Sequence, residues 1–157
     1  MNKLWTVAIL VALLPGPVLR AEPQQLVLAD AWVRALPPGQ PNTAAYLTIS
    51  NPGATAVKII GASASLAQTV EFHTIVEVDG LQRMQQLQQL SVPAGQDLQL
   101  APGGTHLMLL TLEHMPAPGE SVQLCLQPES GEAQCTQAVT RKSATAMQGH
   151  DHHQHNN

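Results

Sequence analysis

Aromatic side chains and charge are both scarce in this 157-residue chain: two Trp, one Tyr, one Phe, and only 11% Asp, Glu, Lys and Arg. With so few rings, a core has to be built from Leu, Val, Ile and Ala. Seven Lys and Arg face eleven Asp and Glu, a balance that argues against nucleic acid or an anionic membrane surface as partner. The sequence has no HExxH, no Gly-rich phosphate loop, no G-x-S-x-G and no CxxC, so nothing in it marks an enzyme. Cysteine is limited to Cys125 and Cys135. A blue-copper electron carrier needs a Cys ligand beside two His, and both cysteines sit away from a suitable His pair.

The first residues, "MNKLWTVAILVALLPGPVLRAEP", place Lys3 before an apolar run from Leu4 to Leu14 that ends at Pro15-Gly16-Pro17. This is the order of a secretory signal, with a cut expected after Ala21 although Leu19 is large for its position. An uncleaved anchor is the alternative. The apolar run is too short to span a bilayer as a mature helix, and no other segment is long and apolar enough. Residues 1–21 are therefore expected to be a signal peptide, and residues 22–140 a single exported domain. Without Lys3 and Arg20 the chain keeps five basic and eleven acidic residues, which does not oppose binding a small cation.

The body reads as short strands separated by Pro, Gly and Asn: 25–34, 43–51, 56–64, 69–78, 81–90, 97–100, 105–113, 121–127 and 133–139. Only "LQRMQQLQQL" carries a helix-like repeat. A strand is preferred there because Asp79-Gly80 is a strong hairpin signal. Many short strands predict an all-β sandwich or barrel. Cys125 and Cys135 flank the turn "LQPESGEAQ". In an exported protein such a pair is expected to form a disulfide; the alternative is a dithiol metal site. After Val139 the pattern stops, and residues 141–157 have nothing to bury and read as a flexible tail.

Two His and two Met stand out. With Asp79-Gly80 as a two-residue loop, Val78 pairs with Leu81, Ile75 with Met84 and His73 with Gln86. His73 and Met84 then share a face as diagonal neighbours, Cβ atoms ~7–8 Å apart. Phe72, Val76 and Val78 take the other, core-directed face. His106 and Met108, two apart in "GTHLMLLTL", also share a face. Whether that strand comes near the hairpin is not visible in the sequence. If it does, two imidazoles and two thioethers make a soft, neutral donor set that favours Cu(I); Zn(II), Ca(II) and Mg(II) prefer other donors. Protonation of the imidazoles would weaken binding. The plain alternative is that all four side chains pack or face solvent, since Met is a common core filler.

The spacing of these residues, H-x10-M-x21-H-x-M, resembles the signature of the periplasmic copper-chaperone family often called PCuAC. The stretches "ADAWVRALPPGQPNTAAYLTISNPG", "VEFH" and "LAPGGTHLMLLTL" are similar as well. The resemblance covers roughly residues 25–139, with Thr74 a departure where members often carry Met or Glu. It implies a cupredoxin-like Greek-key β-sandwich and a surface-near Cu(I) site at His73, Met84, His106 and Met108. It further implies delivery of copper to a partner, with the CuA centre of cytochrome c oxidase as destination. Trp32, Arg34 and Tyr46 belong to the similar flank and read as structural: a core aromatic, a paired strand charge and a half-buried ring. His114 and Met115 read as turn residues without a copper role. The tail residues Met147, His150, His152, His153 and His155 suit a second, Cu(II)-type ion; an interrupted purification tag is the alternative. The sequence thus predicts a monomeric copper chaperone, not an enzyme. A copper-buffering protein without a dedicated recipient stands second, and an adhesive or structural β-sandwich third.

Overall fold

The computed structural model describes residues 25–142. Among them the chain forms ten strands and no helix: β1 (Val27–Arg34), β2 (Thr43–Ser50), β3 (Val57–Ala64), β4 (Ala67–Val78), β5 (Leu81–Leu87), β6 (Leu90–Val92), β7 (Asp97–Leu100), β8 (His106–Leu112), β9 (Ser121–Pro128) and β10 (Gln134–Arg141). Each expected strand is present. The expected strand 81–90 divides after Leu87: β5 pairs with β4, whereas β6 pairs with β3 at the opposite end of the strand order. Burial gives the reason. Leu90 and Val92 are buried and Ser91 between them is exposed, while β5 is exposed up to Leu87. The chain must leave β4 to bring that second apolar pair into the core.

The strands follow the order β5-β4-β8-β2-β1-β10-β9-β3-β6, with β7 also beside β2. β1 runs parallel to β10 and antiparallel to β2, so it joins the two halves. A bulge between Ala29 and Trp32, with Asp30 at φ 52°, lets one strand serve both. The non-sequential neighbours β4-β8-β2 and β1-β10 are crossovers of the Greek-key kind.

The core is aliphatic, as the composition requires: Val33, Ile49, Ile59, Leu107, Leu109, Val122, Leu124 and Leu126 are fully enclosed, and Phe72 is the one aromatic among them. Trp32 is buried but belongs to the other face of the sheet, where the Arg141 guanidinium lies 4.5 Å over its ring. Tyr46, expected half-buried, is only 3% exposed. Val78 is 40% exposed, so its expected core position is wrong: the β4–β5 hairpin extends past the core, which on that face is reached by Phe72, with Val70 and Leu87 packed beside it.

Leu107 and Leu109 fix the phase of β8. Slipping the strand by one residue would turn both leucines outward, at a cost of roughly 3–6 kcal/mol for the two side chains. His106 and Met108 are thereby held on the outer face. The same alternation puts Glu71 and His73 of β4, and Tyr46 of β2, on that face, because Phe72, Ala45 and Leu47 take the core side.

Candidate metal centre

The hairpin is built as its turn dictates. Asp79 and Gly80 both have positive φ, 54° and 74°, the conformation of a two-residue type I′ loop. The ladder then runs Val78–Leu81, Ile75–Met84 and His73–Gln86. On its other side β4 pairs with β8, and here His73 lies directly opposite His106 while Glu71 lies opposite Met108. Met84 is therefore diagonal to His73 across one ladder, and Met108 is diagonal to it across the other. The four residues occupy one face of three adjacent strands, with His73 in the middle.

The rings of His73 and His106 have centroids 6.0 Å apart. For metal–nitrogen bonds of about 2.0–2.1 Å, two imidazoles sharing an ion have ring centres roughly 5–6.5 Å apart. The pair thus suits one ion without rearrangement of the strands. Exposure is graded across the site: His106 is 5% exposed and Met84 53%, with His73 and Met108 between them. The buried end supplies a fixed ligand, and the exposed end a thioether that solvent or a partner can reach.

Each imidazole has one nitrogen engaged. His106 Nδ1 is 2.9 Å from the Gly104 carbonyl oxygen, which accepts only, so Nδ1 carries the proton and Nε2 is left with its lone pair. The carbonyl is presented by a short loop. β7 and β8 both pair with β2, and residues 101–105 bulge out between them. Thr105 O accepts from Ala101 N–H at 2.9 Å, and Ala101 O from Gly104 N–H at 3.1 Å. Gly103 takes φ 82° in that turn. Thr105 Oγ1 donates to Thr74 Oγ1 at 3.2 Å, tying the loop to β4. His73 Nε2 is 2.7 Å from Glu71 Oε2, whereas His73 Nδ1 is buried and has no hydrogen-bond partner. An enclosed polar atom left unpaired costs about 1–3 kcal/mol, so its lone pair is open to a cation. Among the described residues no three His, Cys, Asp or Glu side chains gather in a metal-binding group. The donors beyond the two imidazoles are thioethers, a set suited to a soft monovalent ion.

Tyr46 extends the site inward. Its ring is 6.2 Å from that of His106 and 4.4 Å from that of Trp32, with the Arg34 guanidinium 5.5 Å over it. Burial raises the Tyr46 phenol above its ordinary pKa, and the Arg34 charge opposes this in part. Three features of the site were not read from sequence: the Gly104 carbonyl, the Glu71 contact and the Tyr46 wall. A Glu two residues before a His on a strand shares its face, so the second had a visible signal.

The remaining positions fall elsewhere. His114 Nε2 meets Glu120 Oε1 at 2.8 Å in the loop after β8, and this bond holds the Glu120 carboxyl below its usual range, helped by the Ala117 N–H. Met115 lines a separate apolar groove with Leu36, Pro37, Pro38 and Lys142. Cys125 and Cys135 are cross-strand partners of β9 and β10, joined as a disulfide. The expected signal segment 1–21 and the tail residues Met147, His150, His152, His153 and His155 lie outside the described residues.

Solved structures share this architecture. The chain is similar to the solution structure of CuI-DR1885 from Deinococcus radiodurans, at 31% identity and a TM-score of 0.61, covering 79% of this chain and 82% of that one. It also resembles the copper-bound PCuAC domain from PmoF2, at 19% identity and a TM-score of 0.61, over 73% and 91% of the two chains; that likeness speaks for the fold alone. The fold is all-β and cupredoxin-like. A curated relative, "Putative lipoprotein Lxx21020" of Leifsonia xyli subsp. xyli (strain CTCB07), is 33% identical over 105 residues, 66% of this chain and 62% of that protein. The chain thus spans less than two thirds of that relative's length. Residues 26–140 match the family model described as "Putative lipoprotein LpqE-like". That match takes in nearly every described residue: the chain belongs to the LpqE-like family.

Proposed function

We propose that this protein is an exported copper chaperone that binds one Cu(I) through His73, Met84, His106 and Met108 and passes it to a copper-accepting protein. The observation that carries this reading is the register: His73 faces His106 across β4 and β8, with Met84 and Met108 at the two diagonals. The likeness to CuI-DR1885 supports it. The lipoprotein names of the family and of the curated relative support export, as does the apolar N-terminal run; the periplasm is the compartment we assign.

Transfer follows from the graded exposure. Met84, on the exposed β5, is the first donor to be exchanged for an incoming sulfur or imidazole. His106, enclosed and tied to Gly104, is the last to let go. Thioethers carry no charge and give up no proton, so the departing donors leave without a proton transfer at neutral pH, and any proton released comes from an incoming thiol as it binds as thiolate. The CuA centre of cytochrome c oxidase is the proposed destination, and Met147, His150, His152, His153 and His155, beyond the end of β10 at Arg141 rather than from residue 141 as expected, are proposed to hold Cu(II). Monomeric action is part of this reading, because every donor comes from one chain.

Cu(I) titration against a competing chelator tests it. One tight site is expected, lost in the Met84→Ala, Met108→Ala double variant and kept when residues 143–157 are deleted. No tight site would leave a structural role for the sandwich. Transfer to an apo oxidase copper domain, compared with transfer to a chelator alone, separates delivery from copper buffering.

A further inference from the structure

The four-donor set leaves one polar contact of the site unexplained, the short bond between Glu71 and His73. Glu71 Oε2 lies 2.7 Å from His73 Nε2, and both side chains are partly buried, 28% and 16% exposed. A neutral imidazole has one N–H and one lone pair, and an ionised carboxylate can only accept. The proton of His73 therefore sits on Nε2, and the lone pair on Nδ1, the buried atom that has no partner. His106 is arranged the opposite way: Nδ1–H donates to Gly104 O, and Nε2 is left free. The two rings thus offer different nitrogens across a 6.0 Å centroid gap. Neither residue chooses its tautomer alone; each is held by an oxygen from its own strand or the loop beside it. Alternation along β4 puts residues 71 and 73 on one face, so the Glu71 contact needs no distortion of the strand.

We infer that Glu71 is a positioning residue of the copper site: by accepting the Nε2 proton of His73 it commits that ring to bind Cu(I) through Nδ1, while Gly104 commits His106 to bind through Nε2. This rests on the proposed Cu(I) site and adds to it a residue outside the ligand set. Glu71 touches the ligand and not the ion. Carboxylate or carbonyl partners of ligating imidazoles fix ring orientation in this way, and their loss costs about 10–100-fold in metal affinity.

The test is long-range proton–nitrogen NMR of the 15N-labelled full chain, metal-free and then with anaerobic Cu(I), which is diamagnetic. The metal-free protein should show His73 as the Nε2–H tautomer and His106 as the Nδ1–H tautomer. Cu(I) should then move Nδ1 of His73 and Nε2 of His106. Glu71→Ala should mix the His73 tautomers and weaken Cu(I) binding about 10–100-fold. Glu71→Gln, whose side-chain oxygen still accepts, should restore the Nε2–H form and most of the affinity. A structural role for Glu71 would move stability in both variants and the tautomer in neither. If Cu(I) moves Nε2 of His73, the carboxylate is displaced on binding and the inference is overturned while His73 remains a ligand. If Cu(I) moves neither nitrogen of His73, the proposed ligand set itself fails.

Discussion

His73 of β4 and His106 of β8 are direct antiparallel partners, thirty-three residues apart in sequence yet with ring centroids 6.0 Å apart in space. Neither ring would hold this position without its strand neighbours in the core. Phe72, Leu107 and Leu109 are enclosed on the opposite face, and their burial sets the phase of both strands. The site is thus a by-product of core packing, which makes its geometry stiff and its outer rim free.

That division predicts how the donors differ. His106→Ala should reduce Cu(I) affinity by more than the roughly 10–100-fold typical of losing an outer-shell partner, because it removes the enclosed donor. Met84→Ala should weaken binding less and speed the release of Cu(I) to a chelator. Competition titrations and stopped-flow release rates measure both.

Tyr46 is the sole tyrosine in the chain, so alkaline ultraviolet titration reports it alone. Its midpoint should lie above 10.0, because burial disfavours the phenolate and outweighs the Arg34 charge. The raised folded-state value means the folded state holds the proton more tightly. The associated stability is fully present below the unfolded pKa and is lost as pH rises through the folded one. Urea midpoints should therefore fall on the alkaline side, and Tyr46→Phe should remove that part of the decline.

Asn51 is 1% exposed and fully engaged. Its Nδ2 donates to the carbonyls of Thr55, Val92 and Pro93 at 2.8, 3.0 and 3.1 Å, and its Oδ1 accepts from Gly53 N–H at 3.0 Å. It joins the end of β2 to the end of β6. Asn51→Ala removes all four bonds, the one to the Val92 carbonyl buried, and should cost roughly 2–4 kcal/mol in urea unfolding.

The Cys125–Cys135 bridge closes a short loop between β9 and β10, a sequence separation of 10. The Cys125→Ser, Cys135→Ser double variant should lose about 2–3 kcal/mol, mainly by freeing the unfolded chain. Cu(I) affinity should be unchanged, because neither strand carries a donor. A parallel fall in affinity would place the disulfide in the site's support.

What the sequence disclosed was local. The pair Asp79-Gly80 set the hairpin register to the residue, because a type I′ loop admits one pairing of the strands it joins. The spacing of His106 and Met108 gave their common face because side chains alternate along a strand. The contact between β4 and β8 was not legible, since it depends on a crossover whose ends share no turn. Val78 shows the limit of alternation: an apolar residue on the correct face is exposed when its strand outruns the core. The division between Leu87 and Leu90 shows another, because the sequence does not say which strand each segment will pair with. The depth of Tyr46 comes from side chains on β1 and β8, none of them near it in sequence.

X-ray absorption on the protein loaded with one equivalent of Cu(I) tests the central claim most directly. A first shell of two sulfurs and two imidazole nitrogens is the result expected from His73, Met84, His106 and Met108. A shell of nitrogen and oxygen alone, with no sulfur, would contradict it.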